Sequence, residues 1–302
     1  ASPARESYLR VDRLLDAGRQ LGATAVHPGW GFLSENPDFA KAVEAEGWIF
    51  VGPTAEHSRD LGDKVTARTL AAQAGVPCTP AWSPEPDSDS KNELERWSEK
   101  AQDIGFPVLV KAVSGGGGKG MRIVRDRSEL KEALPAAKRE ALSSFNDDRV
   151  FLEKFVEPAR HIEVQVLGDG NGDVAIIGDR ECSLQRRHQK LVEEAPAVHI
   201  KEDVRSAMQD AARSLARSVS YRGAGTVEFL LDESGDQFYF LEMNTRLQVE
   251  HPVTEEAFGV DMVHLQWQVA LGAGIPEGTD GRTPTAHSIE IRVNAEDPES
   301  GF

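Results

Sequence analysis

Cysteine and long apolar runs are both scarce in this sequence. The 302 residues include two cysteines, Cys78 and Cys182, and neither lies in a Cys-x-x-Cys or Cys/His pattern. The sequence therefore predicts neither a disulfide framework nor a structural zinc site. No stretch approaches the roughly 18 apolar residues of a membrane-spanning helix, and the start of the chain has no apolar signal region. We expect a reducing compartment, the cytoplasm or, in a eukaryote, the mitochondrial matrix.

Basic residues are also in deficit. Lysine and arginine total 34 against 50 acidic residues, which gives a formal net charge of −16. Nucleic acids and anionic membranes both attract basic surfaces, so we expect neither as a partner. A hydrophobic content of 39% in a chain of this length suits one large globular domain or two.

The apolar periodicity changes along the chain. Helices at 9–23, 34–46 and 63–74 alternate with strands at 23–27 and 48–51, which predicts an α/β layer. A polar loop at 83–92 precedes a smaller α+β segment, whose centre is two strands at 107–113 and 121–124. From His161 onward the pattern is typical of an antiparallel sheet, with strands at 161–167, 173–178, 224–231, 237–243 and 287–294 and helices at 202–219 and 260–271.

A run of four glycines, Gly115 to Gly118, lies between the two strands of the smaller segment. It is not a Walker loop, because Gly120 follows Lys119, and no helix begins after it as in a dinucleotide fingerprint. It is either a flexible linker or a mobile hairpin whose backbone amides close over nucleotide phosphates. Lys111, in the preceding apolar strand, is either an edge lysine that reaches solvent or a phosphate ligand.

Two carboxylates, Glu228 and Glu242, are equidistant from the turn glycine Gly235. A hairpin symmetric about that glycine makes them cross-strand neighbours on one face. Opposed like charges need a cation between them, and two carboxylates suit Mg²⁺ that also holds substrate phosphates. The alternative is a solvated strand face.

The polar residues that follow Glu242 alternate with apolar ones up to Glu250. In an extended chain they share one face, where Arg246 is suited to bind a small anion and Glu250 to act as a general base. Similar alternation around Glu163 and around Arg292 is by itself typical of half-exposed strands. The basic segment 180–190 is either a surface patch or a pocket for a small polyanion.

Together these residues resemble the biotin carboxylase component of biotin-dependent carboxylases, an ATP-grasp enzyme. The matching motifs span nearly the whole chain in family order: His27-Pro-Gly-Trp-Gly-Phe-Leu-Ser-Glu-Asn36, Gly62-Asp-Lys64, Lys111-Ala-Val-Ser-Gly-Gly-Gly-Gly-Lys-Gly-Met121, Arg160-His-Ile-Glu-Val-Gln165, Glu181-Cys-Ser-Leu-Gln-Arg-Arg-His-Gln-Lys190, Glu193-Glu-Ala-Pro196, Glu242-Met-Asn-Thr-Arg-Leu-Gln-Val-Glu-His251 and Arg292-Val-Asn-Ala-Glu-Asp-Pro298.

The resemblance implies an ATP-grasp fold of mixed α/β and α+β class. Its parts would be a truncated N-terminal α/β subdomain (1–78), a mobile lid (79–155) and a catalytic antiparallel-sheet subdomain (156–302). Family members have further residues before and after the matched region, so we expect this chain to be a piece of a longer protein. Trp30 stands where many bacterial members have tyrosine.

The resemblance also implies the reaction. MgATP (or MnATP) and bicarbonate would give carboxyphosphate, whose carboxyl group is then transferred to carrier-bound biotin, as the first half-reaction of an acyl-CoA or pyruvate-type carboxylase. The implied catalytic and bicarbonate-pocket residues are Glu250 as the base, Arg292, Lys190, Arg246, Gln248 and Val249. The implied nucleotide-side residues are Lys64, Lys111, Gly115, Gly116, Gly117, Gly118, Glu153, Lys154, Val156, His161, Gln185 and His188, and the implied Mg²⁺ ligands are Glu228, Glu242 and Asn244.

The implied partners are a biotin carboxyl carrier domain and a carboxyltransferase component, fused or separate, and a second copy of the protein. Two alternatives stay open. A carbamoyl phosphate synthetase also activates bicarbonate but uses ammonia instead of biotin, and a nucleotide-binding scaffold would bind ATP without turnover.

Overall fold

A computed structural model describes residues 3–85, 92–114, 120–295, 297 and 299. Gly115 to Gly118, Lys119 and most of the polar loop at 83–92 lie outside the described residues, so the predictions for them stay predictions. The helices are α1 (Val11–Leu21), α2 (Pro37–Ala45), α3 (Ala55–Gly62), α4 (Lys64–Gln73), α5 (Glu93–Ile104), α6 (Leu130–Phe145), α7 (Glu202–Ser218), α8 (His251–Phe258) and α9 (Met262–Ala270).

The described strands form three sheets. They are β1 (Ala25–Val26), β2 (Ile49–Phe50), β3 (Ala81–Trp82), β4 (Val108–Ala112), β5 (Met121–Val124), β6 (Val150–Lys154), β7 (Ala159–Asp169), β8 (Val174–Arg186), β9 (Gln189–Ala195), β10 (Arg222–Asp232), β11 (Phe238–Asn244) and β12 (Ser288–Ile291). Their orders are β1-β2, β3-β6-β4-β5 and β11-β10-β7-β8-β9-β12. Only the first pair is parallel among the strand pairs described. The predicted mixed fold class with a C-terminal antiparallel sheet is confirmed.

The N-terminal helices begin and end at residues suited to those positions. Helix α1 ends at Gly22, whose φ of 66° is left-handed. Helix α2 begins after Asn36, which accepts the Phe39 N–H at 2.9 Å, with Pro37 as its first residue. Helix α4 begins after Asp63, which accepts the Thr66 N–H at 2.9 Å. This cap fixes the position of Lys64, the first residue of α4.

The second sheet belongs to the segment predicted to be the lid. Strands β4 and β5 pair antiparallel across the glycine run, as predicted, from Val108 with Val124 to Lys111 with Met121. Helices α5 and α6 cover the sheet, with Trp97, Leu130 and Leu134 in its core. Lys111 therefore lies on an interior strand, and the edge-lysine alternative is wrong.

The six-stranded sheet is covered on both faces. One core joins Ile162, Val164 and Phe229 to Met208 and Leu215 of α7, and another joins Leu167 and Ile177 to Phe258 and Met262 at the helices α8 and α9. Strand β7 is consequently buried on both faces, and the half-exposed alternative for residues 161–166 is wrong. None of the described helices is both long enough and apolar enough to cross a membrane.

Several elements differ from the sequence-based expectations. Helices α3 and α8 and strands β3, β6 and β9 were not predicted, and α5 and α6 were expected only as part of an α+β segment. The extended chain predicted through Glu250 is wrong, because β11 ends at Asn244 and Glu250 is the N-cap of α8. Strand β12 ends at Ile291, before Arg292. The division of the chain at 78 and 155 stays our proposal.

Candidate active site

A row of charged residues crosses four strands of the large sheet. Arg180 on β8 faces Glu163 on β7, which faces Glu228 on β10, which in turn faces Glu242 on β11. The predicted pairing of Glu228 with Glu242 is confirmed. Glu163 and Glu228 are buried, and the solvated-face alternative is wrong for Glu228. Such a row of carboxylates requires cations beside it.

Lys190 supplies the central positive charge. Its Nζ lies 2.5 Å from Glu163, 2.7 Å from Glu228 and 2.8 Å from Glu250. Burial alone would raise the pKa of Glu228, but Lys190 and His161 outweigh it, so the pKa of Glu228 lies well below its ordinary value. In the same way, burial would lower the pKa of Lys190, but the carboxylates raise it well above its ordinary value. The cluster is therefore a charged, interlocked unit.

Arg180 is a buried cation that sequence reasoning did not single out. Its Nε donates to Glu163, and Nη1 and Nη2 donate to the oxygens of Thr254 at 2.8 Å and Gln248 at 3.1 Å. Burial lowers the pKa of Arg180, but Glu163 more than compensates, so the pKa is raised. Arg180 thus holds Gln248, a predicted bicarbonate-pocket residue, in a fixed orientation. Its signal was its place at the start of the basic segment 180–190, for which the sequence left a surface patch and a pocket for a small polyanion as alternatives.

The predicted base Glu250 is held between two cations. Its Oε1 lies 2.8 Å from Lys190 Nζ, and its Oε2 accepts from Arg292 Nη2 at 3.1 Å. The polar residues from 242 to 250 do converge, but through the turn after β11, not through strand alternation. The amide of Gln248 donates to Glu228 at 3.2 Å, and Val249 is half-buried beside it.

Arg246 is held from the N-terminal part of the chain. Its Nε lies 3.1 Å from Glu35 Oε2, and its Nη2 donates to Asn244 Oδ1 at 3.1 Å. The other Glu35 oxygen accepts the Thr245 N–H at 3.2 Å. From the sequence, Glu35 was included in the motif from His27 to Asn36 but was assigned no role. That motif was the only sequence signal for it. Glu35 fixes the turn that carries Arg246.

The comparisons with known proteins agree with this geometry. A family model described as "Carbamoyl-phosphate synthase L chain, ATP binding domain" matches residues 63–278, and one described as "Biotin carboxylase, N-terminal domain" matches residues 1–57. The biotin carboxylase of Haemophilus influenzae is 46% identical over 299 residues, which cover 99% of this chain and 65% of that protein. The chain belongs to the biotin carboxylase family.

Other relatives are parts of larger carboxylases. The alpha subunit of rat mitochondrial methylcrotonoyl-CoA carboxylase is 48% identical over 301 residues, which cover 100% of this chain and 41% of that subunit. Among solved structures, the biotin carboxylase domain dimer of Hydrogenobacter thermophilus 2-oxoglutarate carboxylase, in complex with MgADP, ADP and bicarbonate, has a TM-score of 0.89 and 43% identity, covering 98% of this chain and 64% of that one. The chain therefore spans between about two fifths and two thirds of these relatives.

The residues predicted to ligate a metal in this family member form an oxygen-rich group. Glu228 and Glu242 are register partners, and Asn244 Nδ2 donates to Glu228 at 2.7 Å. Glu242 is 27% exposed and lies 3.3 Å from Lys64 Nζ. Two carboxylates and an amide oxygen fit Mg²⁺, a hard cation. His161, Glu163 and Glu228 are also spaced for a metal, but the Lys190 ammonium already contacts both carboxylates of that set.

The predicted nucleotide-side residues divide between two locations. His161 lies 3.0 Å from Glu228 and 3.0 Å from Gln185, beside the charged row. Burial lowers the pKa of His161, but the nearby Glu228 carboxylate has the larger, opposite effect, so the pKa is above its ordinary value. His188 is exposed at the tip of the β8–β9 hairpin. The structure thus brings His161 and Gln185 into the site and leaves His188 at its rim.

Four more nucleotide-side residues lie on the second sheet or directly after it. Lys111 Nζ is 3.3 Å from Glu153, which also pairs with Arg68 at 2.5 Å, so the predicted phosphate ligand is paired with a carboxylate. Lys154 Nζ donates to the carbonyls of Gly105 at 2.8 Å and Phe106 at 3.0 Å. Val156 follows β6 and is half-buried.

A cavity lined by residues of α4 and β3 does not contain the charged row. Its volume is about 550 Å³, and Arg68, Thr79, Cys78, Trp82 and Phe151 are among its lining residues. It is lined by Arg68 but by none of the candidate catalytic residues. We therefore locate the chemistry by the charge cluster and not by cavity size.

Proposed function

We propose that this chain carries the biotin carboxylase activity of a biotin-dependent carboxylase, of the acyl-CoA or pyruvate type. The observation that carries the proposal is the bridge made by Lys190. One ammonium contacts both Glu228, in the metal-type group, and Glu250, the predicted base, within 2.8 Å. The groups needed to hold nucleotide phosphates and to activate a small acid are therefore parts of one cluster.

In the first step a bicarbonate oxygen bonds to the γ-phosphorus of ATP, and the bond to the bridging oxygen of ADP breaks. Glu250 takes the bicarbonate proton, and Lys190, Arg246 and Gln248 hold the anion. Bound Mg²⁺ on Glu228, Glu242 and Asn244 would neutralise phosphate charge. Lys64, Lys111, Glu153, Lys154, Val156, His161, Gln185, His188 and Gly115 to Gly118 complete the proposed nucleotide side, and Val249 the bicarbonate pocket.

In the second step the carboxyl group passes from carboxyphosphate, or from CO₂ released from it, to the ureido nitrogen of biotin. Phosphate leaves, and the proton of that nitrogen goes with it. Arg292 lies 3.1 Å from Glu250, so one guanidinium is placed to stabilise both the carboxyphosphate and the negative charge on the ureido oxygen.

Phosphate release from MgATP by the full-length protein tests the proposal. We expect release that needs bicarbonate and rises with free biotin. Glu250→Gln should abolish bicarbonate-dependent release and leave ATP binding intact, because only the base is lost. Glu256→Gln on the exposed side of α8 makes the same change in charge and should behave as wild type. Full turnover by Glu250→Gln would refute the assignment of the base.

A carbamoyl phosphate synthetase is the second candidate, since one matching family model carries that description. Phosphate release that is unchanged by biotin and rises with ammonia would support this second candidate. ATP binding without any release would support a nucleotide-binding scaffold.

We also propose partners and a location. Relatives include alpha subunits of carboxylases and a domain dimer, which supports a biotin carboxyl carrier domain, a carboxyltransferase component and a second copy as partners. Cysteine usage supports the cytoplasm, and the rat relative is mitochondrial, which supports the matrix if the source is eukaryotic.

A further inference from the structure

Several buried polar atoms without hydrogen-bond partners lie around Arg292. Among the described residues they include both carboxylate oxygens of Glu193, Oε2 of Glu290 and Nε of Arg292 itself. Buried polar atoms are nearly always paired in folded proteins. Such a concentration beside a predicted catalytic arginine calls for a functional explanation.

The local strand geometry places Glu193 at this site. Between Leu184 and Gln185 the register of β8 against β9 shifts by one residue, so that Gln185 pairs with Lys190 and Leu184 with Val192. The extra residue on β9 turns Lys190 and Glu193 toward the same face, although they are three apart. Glu193 is fully buried.

Strand β12 completes the arrangement. Glu290 is the register partner of Glu193, and its carboxylate accepts the backbone N–H of Val253 in the first turn of α8. The Arg292 backbone N–H donates to Leu191 at 2.9 Å. Its Nη2 lies 3.1 Å from Glu250 and 3.8 Å from Glu193. The guanidinium is therefore shared unequally by two carboxyl groups.

We propose that Glu193 is a positioning residue for Arg292: its carboxyl group packs beside the guanidinium without hydrogen bonding to it and so leaves it to Glu250. A separation of 3.8 Å is short enough for electrostatic attraction but too long for a hydrogen bond. Arg292 is thereby oriented toward Glu250 while its remaining donors stay available to substrate. The proposal deepens the proposed function and rests on it for its kinetic consequences.

The charge on Glu193 sets how strongly it attracts Arg292. Burial is the main cause that raises the pKa of Glu193 to about 7, and Glu250 adds to it. The charged groups that face it are Glu250 before α8, Arg292 and Glu290 from the β12 segment, and Glu163 on β7. Below pH 7 the Glu193 carboxyl is neutral, and Arg292 pairs with Glu250 without competition. Above it, the ionised carboxylate competes for the guanidinium.

Kinetics of three variants test this role in the full-length protein. We expect wild-type bicarbonate-dependent phosphate release to fall by roughly tenfold as the pH rises from 7 to 9. Glu193→Gln keeps the shape without the charge, so its rate at pH 6.5 should match wild type and its alkaline fall should be smaller. Glu193→Ala should lower kcat by roughly 10- to 100-fold, with KM for ATP unchanged. Glu194→Gln, which loses only the contact with His287 at the sheet edge, should match wild type throughout.

Crystal structures of wild type and Glu193→Ala, each at pH 6 and pH 8.5, give a readout that does not depend on turnover. We expect the Arg292 guanidinium to move toward Glu193 in wild type at the higher pH and to show no such movement in the alanine variant. If the position of Arg292 is the same at both pH values and in both proteins, the proposal is overturned. If wild type lacks bicarbonate-dependent release, the proposed function fails, and the structures alone decide whether Glu193 positions Arg292.

Discussion

Two buried glutamates, one on each strand that flanks β8, have opposite electrostatic properties. Glu163 and Glu193 are both fully buried. Burial raises the pKa of Glu163, but Arg180 and Lys190 contact it and bring the pKa below its ordinary value. Glu193 has only the more distant Arg292, and burial raises its pKa to about 7. The proximity of the cations, not burial, decides which carboxyl is charged.

The raised pKa of Glu193 predicts a pH dependence of stability. The folded protein keeps a proton that the unfolded chain releases near pH 4.5, so the free energy of unfolding should fall by about 3 kcal/mol as the pH rises from about 4.5 to 7, and should level off above that. Glu193→Gln should remove this fall. Urea unfolding at pH 5, 6, 7 and 8 measures it, with Glu194→Gln as the control. Parallel stability profiles for wild type and Glu193→Gln would contradict the prediction.

At the scale of elements, the pairing of Glu228 with Glu242 was predictable, but its cause was not. On the turn side, Leu231 pairs with Phe238 and Phe229 with Phe240, which is one residue out of step with a hairpin centred on Gly235. A bulge between Glu228 and Phe229 restores the predicted pair. Likewise, the convergence of Arg246 and Glu250 followed from the sequence, but the turn and the helix cap that produce it did not.

Residues from separate elements could not be assigned by pattern. Glu193 acquires its role because β12 pairs with β9, a contact between residues far apart in sequence. Glu35 acts through a loop that closes on Arg246 from the N-terminal part. A single sequence shows periodicity within an element, but not which elements lie side by side.

Gly178 sets the position of α8, and hence of Glu250. Its φ is +69°, and an added Cβ would lie 2.0 Å from the Phe258 ring. Gly235 has a φ of +71° with nothing within 4 Å of the added Cβ. Both alanine variants meet the same backbone strain, but only Gly178→Ala also displaces Phe258. We expect it to be less stable than Gly235→Ala by about 1–3 kcal/mol in urea unfolding; equal losses would show that the ring adapts.

At the scale of the whole molecule, polar contacts add to the apolar packing of α3 and α4 in holding the N-terminal part against the large sheet. Arg222 at the start of β10 donates to the Gly52 carbonyl at 3.0 Å and the Pro53 carbonyl at 3.3 Å, and pairs with Glu44 at 2.8 Å. His57 contacts the Val219 carbonyl at 2.9 Å. These contacts and Glu35 hold the motif from His27 to Asn36 against the catalytic turn.

Arg222→Ala should therefore loosen the N-terminal part. We expect faster amide hydrogen exchange in β2 and α3, by roughly 10-fold, because two carbonyls and a carboxylate lose their donor. Arg19→Ala removes an exposed pair within the N-terminal part and is the control. Unchanged exchange in β2 and α3 would show that apolar packing alone holds this part in place.

The overall acidity argued against nucleic-acid and anionic-membrane partners but did not reveal where the cations gather. Lys64, Lys111 and Arg180 are all buried in a chain with a net charge of −16. Each is paired with a carboxylate. The sequence showed the resemblance to the family and most candidate site residues. The overall composition gave no sign that these buried cations are paired with carboxylates.

The turn from Asp232 to Asp236 is polar and joins two strands of the site. A surface turn of this kind usually tolerates insertions and deletions. Here its length is limited by strand register: a change that shifted the pairing by one residue would turn every side chain from Phe238 to Asn244 to the opposite face, and Glu242 and Asn244 would then point away from Glu228. The composition of this turn can change freely, but a change in its length is tolerated only if the pairing of Glu228 with Glu242 is kept.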